Sequence, residues 1–469
     1  MAEGEASATR VPTMPAAATA VPDICAGMPA IDHHSHASMS GSRTVAQIER
    51  AYATAHLEAN VPPEVFEAFI AARNRGDAAA LDKLETEHGT ERLMRDAVAF
   101  RSTTFFSRAL REGCRQLYGP ADGWDTLMRT AAQWAERGPA FAYDRAVDIA
   151  NTPIVITDVP YLDRGGWDRD RYRQVARIDP YLYPFHAGLP AGRGTEFQRF
   201  HGVFASVLAR ELAHYGLERP PDDFDAYLQF VDASVRRRVR EGAIGLKIVS
   251  AYVRAIDFAP ASYADAAQAY RALASARDVD RAPLENFVAR RLAHYAADQR
   301  LPLQIHVGMG HPEPGMRIAN SAPFLLESFI DTPSLNRLRI VLLHGGYPFG
   351  SELASLAQTY GNVFIDFSWM PYLHHFYLRQ KLAEWLEILP ANKLLYGSDT
   401  SAPEFHVAAA SYTRGSLNHV LHDGRVRGVW DAKQVEWLAR RILWENTADV
   451  YGIDATPPAP RPRAASRVH

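Results

Sequence analysis

Two histidines near the start of the chain have the spacing that lets a pair of imidazoles share one metal ion. They lie in the segment Ile31-Asp32-His33-His34-Ser35-His36, which follows an apolar lead-in. Because side chains two residues apart in a β-strand point the same way, His34 and His36 are predicted to share a face and His33 to point away. Neutral imidazole is a common ligand of zinc, iron and manganese, and a catalytic ion takes about three protein ligands. Further ligands are therefore expected later in the chain.

Three later apolar runs end in residues that could supply those ligands. They are Leu303-Gln304-Ile305-His306, Val341-Leu342-Leu343-His344 and Leu394-Leu395-Tyr396-Gly397-Ser398-Asp399. Polar residues at the carboxyl ends of barrel strands converge on one mouth, so these three are predicted to meet His34 and His36 there. A lone buried histidine is more often a satisfied core residue than a ligand. Five such residues at strand ends favour a common site.

A lysine inside an apolar run is a further candidate. Lys247 lies in Ile244-Gly245-Leu246-Lys247-Ile248-Val249. Burial favours the neutral amine, which can react with carbon dioxide to form a carbamate that bridges two cations. Two alternatives remain open: an unmodified Lys247 that pairs with a substrate carboxylate or a neighbouring acid, and a lysine that extends to solvent at the strand end.

Eight apolar runs separated by helical or loop stretches predict an α/β fold, a (β/α)₈ TIM barrel. Helical periodicity, as in Phe224, Tyr227, Leu228 and Val231, predicts shell helices between the runs. Asp431 is predicted to cap a helix that closes the barrel. The predicted strands are Pro29–His33, Thr152–Thr157, Gln174–Asp179, Ile244–Val249, Leu301–Val307, Arg339–His344, Asn362–Phe367 and Lys393–Ser398.

One barrel domain is predicted over residues 25–455, with a large helical insertion after the first strand at 41–150. Insertions at this end of a barrel surround the active site, so this one is predicted to form a lid or substrate wall, or equally an oligomer interface. We expect a homo-oligomer. The Ala- and Pro-rich stretches at 1–24 and 456–469 predict disordered tails.

The composition excludes several classes of partner. The 469 residues carry a formal charge of −3, from 51 basic and 54 acidic residues, which gives no nucleic-acid footprint and no attraction to an anionic membrane. No apolar run approaches the roughly 20 residues that span a bilayer. The two cysteines, Cys25 and Cys114, favour a reducing cytoplasm over a disulfide framework or a thiolate metal site. A small-molecule substrate is the expected partner.

Together, these motifs resemble the amidohydrolase superfamily of metal-dependent hydrolases. The resemblance rests on Asp32-x-His34-x-His36 in strand one, Lys247 in strand four, His306 and His344 in strands five and six, and Asp399 in strand eight. The phrases Gln304-Ile305-His306-Val307-Gly308, Leu343-His344-Gly345-Gly346-Tyr347-Pro348 and Ile442-Leu443-Trp444-Glu445-Asn446 are similar to its amidohydrolase-2, or amidohydrolase-related, branch. The resemblance covers roughly Pro29 to Ile453.

The resemblance implies a divalent metal cofactor, with zinc the first candidate, as one ion or two. In the two-ion form, His34, His36 and Asp399 hold the more buried ion, His306 and His344 hold the second, and a carboxylated Lys247 bridges them. In the one-ion form, His34, His36, His306 and Asp399 hold the ion, and His344 polarises the substrate. Asp32 is expected to orient a ligand histidine or to pack at the strand base.

The implied reaction is hydrolysis of a C–N bond, an amide or γ-glutamyl-like amide, by metal-activated water with Asp399 as general base. The alternatives are decarboxylation of an aromatic or unsaturated acid, a uronate-type isomerisation, and a non-catalytic binding protein on the same barrel. Arg177, Tyr252 and Arg254 are candidates for substrate binding because they lie at or after the ends of strands three and four. Trp369, after strand seven, is predicted to form an aromatic wall.

Overall fold

The structure of the chain, a computed structural model, describes residues 23–37, 45, 48, 53–119, 123–158, 168–185, 195–310 and 315–458. The two predicted tails fall almost wholly outside these ranges, and their disorder stays a prediction.

Eight parallel strands form one sheet in sequence order, each paired with the next. Main-chain hydrogen bonds from His33 to Tyr396 and from Ser398 to His34 join the first and last strands. The predicted (β/α)₈ barrel is thereby confirmed, and each predicted strand overlaps an observed one. The strands are Ile31–Ser35 (β1), Ile154–Thr157 (β2), Tyr172–Arg177 (β3), Ala243–Ile248 (β4), Leu303–Ile305 (β5), Ile340–Leu342 (β6), Val363–Asp366 (β7) and Leu394–Leu395 (β8).

The strands are apolar because the barrel buries both of their faces. β5, β6 and β8 are buried along their whole lengths. One apolar cluster fills the barrel interior, and Trp444 and Tyr451 from the end of the chain pack into it. A larger cluster joins the outer strand faces to the helices.

Between β1 and β2, the described residues from 53 to 150 form seven helices, as the sequence predicts for the insertion. They are Thr54–Asn60 (α1), Pro63–Arg75 (α2), Ala78–His88 (α3), Thr90–Arg101 (α4), Phe105–Tyr118 (α5), Trp124–Glu136 (α6) and Pro139–Ala150 (α7). The first four pack around an apolar cluster of their own that includes Leu57, Phe69 and Met94. Helices α5 and α7 instead pack on the helix that follows β8.

The remaining helices cover the barrel. They are Asp179–Leu182 (α8), Thr195–His214 (α9), Phe224–Arg240 (α10), Tyr263–Ala274 (α11), Ala282–Asp298 (α12), Glu327–Ile330 (α13), Gly350–Thr359 (α14), Met370–Leu373 (α15), His375–Ile388 (α16), Pro403–Val426 (α17), Ala432–Arg440 (α18) and Asn446–Tyr451 (α19). Asp431 caps α18 through a capping box, as predicted. Within the described residues, no helix is both long and apolar enough to cross a membrane.

Candidate functional site

The ends of β1 and β8 bring two histidines and an aspartate together. Oδ1 of Asp399 lies 3.2 Å from Nε2 of His34 and 2.9 Å from Nε2 of His36. Ligands that each sit about 2.0–2.2 Å from one ion are themselves roughly 3 Å apart. The three side chains therefore have the separations that ligands of a single ion adopt.

The ends of β5 and β6 add the other two histidines of the predicted set. Nδ1 of His306 lies 2.9 Å from Nε2 of His344, and Nδ1 of His344 lies 3.5 Å from Oδ2 of Asp399. One ligand atom from each of His34, His344 and Asp399 can be chosen so that all three lie within 4.8 Å of one another. The structure thus brings all five predicted strand-end residues into one cluster.

The donor set fits a divalent cation better than it fits a hydrogen-bond network. Both carboxylate oxygens of Asp399 and Nε2 of His306 are buried without a hydrogen-bond partner among the described residues. The nearest imidazole nitrogen, Nε2 of His36, lies 2.9 Å from Asp399 without forming a hydrogen bond to it. A buried carboxylate without hydrogen bonds is costly unless a cation takes their place. Histidine nitrogen and carboxylate oxygen are typical ligands of zinc and related ions.

A second aspartate, which the sequence patterns did not single out, contacts His36 and two buried cationic side chains. Asp158 follows β2 and is buried; its Oδ1 lies 2.7 Å from Nδ1 of His36 and its Oδ2 2.8 Å from Nζ of Lys247. Nη2 of Arg177 donates to both oxygens, at 2.9 and 2.7 Å. A carboxylate on the second nitrogen of a ligand histidine fixes the orientation of its ring.

Lys247 points into the cluster, as predicted. Its Nζ lies 2.9 Å from Nε2 of His34, and only 1% of its surface is exposed. Of the alternatives that the sequence left open, extension to solvent is excluded, and pairing with a neighbouring acid is observed through Asp158. We call His34, His36 and Asp399, together with Asp158, Arg177 and Lys247, the charged half of the site.

The other two histidines have an aromatic surrounding. The ring of Trp369 stacks on His344 at 4.1 Å between centroids, and the ring of Tyr252 lies 4.5 Å from His306. Gly310 leaves the space for Trp369, because a Cβ there would lie 1.9 Å from the indole ring. We call His306, His344, Tyr252 and Trp369 the aromatic half of the site.

Asp366, at the end of β7, holds His344 in place through a serine. Nδ1 of His344 lies 2.9 Å from Oγ of Ser368, which donates to Oδ1 of Asp366 at 2.5 Å. The main-chain N–H of His344 also donates to Oδ1 of Asp366, at 2.8 Å. The other oxygen lies 2.6 Å from Nε2 of His33, so the ring of His33 is directed at Asp366.

The backbone is strained at three of the strand ends. His344, Trp369 and Asp399 have φ values of +67°, +66° and +52°, in the left-handed region that costs a non-glycine residue about 1–3 kcal/mol. Main-chain hydrogen bonds hold them there, among them one of 2.7 Å from Asp399 N–H to the carbonyl of His34. Such strain persists where the surrounding structure enforces it, and it concentrates at functional sites.

Burial and charge set the protonation of the site. Burial lowers the pKa of His306 to about 3 and that of His344 well below its usual value. Burial alone would raise the pKa of Asp399, but the neighbouring histidines hold it well below the usual range. Burial would likewise raise the pKa of Asp158, and Arg177, His36 and Lys247 lower it further than burial raises it. The two carboxyls are therefore ionised and the two histidines of the aromatic half neutral.

Two predicted residues have other partners. All three nitrogen groups of Arg254 are engaged, with the carbonyl of Ala255, with Glu285 and with Asp257. Its role in substrate binding stays a prediction. Asp32 accepts hydrogen bonds from the main chain and hydroxyl of Ser398 and from the main-chain N–H of His34, so it ties β1 to the end of β8.

The scan against known families matches an amidohydrolase family over residues 157–453. The matched segment runs from the end of β2 through α19, so β1 with His34 and His36 lies before it. A curated relative, Protein fluG of Emericella nidulans, is 26% identical over an alignment of 383 residues, and the match covers 76% of this chain and 42% of that protein. The chain thus spans less than half the length of that relative.

Solved structures share the fold at low sequence identity. A metal-dependent hydrolase, described as putative, from Lactobacillus casei has a TM-score of 0.65 at 17% identity, with 92% of this chain and 96% of that chain covered. A uronate isomerase from Bacillus halodurans has a TM-score of 0.61 at 14% identity, covering 92% and 95%. A glucuronate isomerase from Caulobacter crescentus has a TM-score of 0.59 at 17% identity, covering 94% and 95%.

Proposed function

Because the chain belongs to the amidohydrolase family, we propose that it is a metal-dependent hydrolase of a C–N bond in a small molecule, an amide or γ-glutamyl-like amide. The observation that carries the proposal is the position of Asp399. Its buried oxygens lie 2.9–3.5 Å from nitrogens of His36, His34 and His344, and they receive no hydrogen bond from the described residues.

The proposed ligands are His34, His36 and Asp399, with His306 completing the set and zinc the first candidate for the ion. A divalent cation in such a site lowers the pKa of water from about 15.7 to about 7 and polarises a carbonyl oxygen. Asp399 accepts the proton of the attacking water at a carboxylate oxygen and passes it to the leaving nitrogen as the C–N bond breaks. Its lowered pKa keeps it ionised and ready to accept.

We propose that His344 orients the substrate carbonyl at the metal centre, since its Nδ1 donates to Ser368 and its Nε2 is left as an acceptor. Ser368 fixes one ring nitrogen and Trp369 covers one ring face, so the imidazole has little rotational freedom. A ring held in this way keeps the substrate in one orientation without reorganising during the reaction.

We propose that Lys247 remains an unmodified amine and that the site holds a single ion. Asp158 supports this, because a carbamate on Lys247 would place a second negative charge next to a buried carboxylate 2.8 Å from Nζ. Carbon NMR of protein equilibrated with isotopically labelled bicarbonate tests the point. We expect no carbamate resonance, and such a resonance together with two metal ions per chain would overturn the single-ion proposal.

Arg177 is proposed to bind a carboxylate of the substrate. Nη2 donates to Asp158, while Nε is buried without a hydrogen-bond partner among the described residues. A guanidinium with an unpaired N–H next to a metal centre suits an anionic substrate group. A carboxylate at this position also fits decarboxylation, which is the second candidate reaction.

The two reactions differ in their products. The enzyme should be assayed with N-acyl amino acids, γ-glutamyl amides and aromatic acids, each with several divalent ions, while amine and carbon dioxide are both measured. Release of amine and carboxylic acid in equal amounts supports the hydrolase. Carbon dioxide without amine would replace it with the decarboxylase.

A further inference from the structure

One tyrosine of the insertion contacts the ends of both strands that carry the proposed ligands of the charged half. Tyr143, on α7, is 1% exposed. Its hydroxyl donates to the carbonyl of Thr400 at 2.8 Å and lies 3.0 Å from the hydroxyl of Thr400 and 3.3 Å from that of Ser35.

Both contacted residues are direct neighbours of proposed ligands. Ser35 lies between His34 and His36, and Thr400 follows Asp399. The carbonyl of Thr400 also accepts a hydrogen bond from the main chain of His36 at 3.0 Å and one from Oγ of Ser35 at 3.1 Å. The Tyr143 hydroxyl therefore joins the junction that sets the distance between the ends of β1 and β8.

Packing alone does not account for the phenolic oxygen. The ring of Tyr143 lies in an apolar cluster with Ala37, Val147 and Val155, which a phenylalanine would serve equally well. Burying a hydroxyl is costly unless its hydrogen bonds are made, and here the hydrogen-bond partners are Ser35 and Thr400, at the two strand ends.

We propose that Tyr143 is a positioning residue of the metal centre, whose hydroxyl holds the ends of β1 and β8 at the separation that His34, His36 and Asp399 need to bind one ion. The inference rests on the proposed function, since it assumes that these three residues bind a metal. It also gives the insertion a role besides that of lid or oligomer interface: α7 supports the site from outside the barrel.

The test compares Tyr143→Phe with Tyr227→Phe in the full-length protein. Tyr227 is a matched control because it is also fully buried and donates one hydrogen bond, at 2.5 Å, to a main-chain carbonyl, that of Tyr181. Zinc affinity is measured by competition with a chromophoric chelator, and ligand geometry by the visible spectrum of the cobalt-loaded protein. Thermal unfolding of the metal-free proteins measures the cost to folding.

We expect Tyr143→Phe to weaken zinc binding about tenfold, the lower end of the effect of residues that orient ligands, and to shift the cobalt spectrum. Tyr227→Phe should keep the wild-type zinc affinity and cobalt spectrum, even if it lowers the unfolding temperature as much as Tyr143→Phe does. Wild-type zinc affinity and an unchanged cobalt spectrum in Tyr143→Phe would overturn the positioning role alone.

Thr400→Val gives a second test that leaves every tyrosine in place. It removes the hydroxyl 3.0 Å from that of Tyr143, and zinc affinity should fall in the same direction by a smaller factor. Unchanged affinity counts against the positioning role. A wild-type protein that binds neither zinc nor cobalt would instead overturn the proposed function, and the role of Tyr143 with it.

Discussion

The charged half and the aromatic half of the site hold their histidines by different means. In the charged half, Asp158 and Asp399 lie on the two nitrogens of His36, at 2.7 and 2.9 Å. In the aromatic half, the rings of Tyr252 and Trp369 cover His306 and His344, and Nδ1 of His344 contacts the hydroxyl of Ser368.

The difference indicates that the two halves have different functions. Close carboxylates raise the pKa of His36 against the effect of burial, whereas burial among rings lowers the pKa of His306 to about 3. The charged half is therefore suited to binding a cation, and the aromatic half to presenting neutral imidazoles and an apolar wall to a substrate. Changes in the proposed ligands, His306 among them, and in Asp158 should act on metal affinity, and changes in Tyr252 and Trp369 on turnover.

Asp399→Asn should have the largest effect, because it removes both a proposed ligand and the proposed base. Turnover is expected to fall about 10²–10⁴-fold with loss of metal affinity, measured by steady-state kinetics and metal titration. Asp232→Asn is the control, since Asp232 pairs with Arg291 on the outer helices. Full turnover in Asp399→Asn would remove the charged half from the mechanism.

Asp158→Asn should have the next largest effect and should act mainly on metal affinity. The amide keeps the size of the side chain but leaves Lys247 and Arg177 without their buried counter-charge. Metal affinity is expected to fall about 10- to 100-fold, as for other residues that orient ligand histidines. Asp148→Asn breaks an ion pair of similar geometry with Arg171, away from the site, and should leave metal affinity intact. Equal losses in both variants would contradict the role of Asp158.

The stability of the metal-free protein should depend on pH through the aromatic half. His306 has its pKa lowered to about 3 in the folded chain, against an ordinary 6.5. Between these values, the unfolded chain binds a proton that the folded chain does not, so stability falls as the pH drops from 6.5 toward 3. One such proton corresponds to about 1.4 kcal/mol per pH unit. The free energy of unfolding, measured with denaturant at several pH values in this range, should depend less steeply on pH in His306→Asn than in the wild type. The same pH dependence in both proteins would contradict a neutral His306.

Trp369→Leu should have the smallest effect and should spare the metal. Loss of the ring stacked on His344 removes an interaction worth about 0.5–1.5 kcal/mol, which lowers kcat/KM about 2- to 13-fold. Trp369→Phe keeps an aromatic ring there and should recover most of the loss. If Trp369→Leu instead weakened metal binding as much as Asp158→Asn does, the division between the two halves would be wrong.

The strands and the clustering of the strand-end residues could be predicted because their signals are local. A parallel strand buried on both faces is a continuous apolar run, and a polar residue directly after it, such as His306 or His344, lies at the barrel mouth. Asp158 and Asp366 carry the same signal at the ends of β2 and β7, and the same rule could have found them.

Other parts of the site could not be predicted, because they depend on which elements become neighbours. Tyr143 reaches Thr400 across 257 positions of sequence, and nothing near Tyr143 marks it. Arg177 and Arg254 both follow or end strands, yet only Arg177 has an acid of the site, Asp158, within reach, while Arg254 pairs with Glu285 of α12. The choice of partner follows from tertiary packing.

The most direct test of the proposed metal centre is the metal content of the purified full-length protein. The protein is stripped with a chelator, reloaded with zinc, manganese or iron, and measured by elemental mass spectrometry beside His34→Ala. We predict one tightly bound divalent ion per wild-type chain and none in His34→Ala. A wild-type chain that takes up no divalent ion, or His34→Ala protein that binds it as tightly, would contradict the assignment.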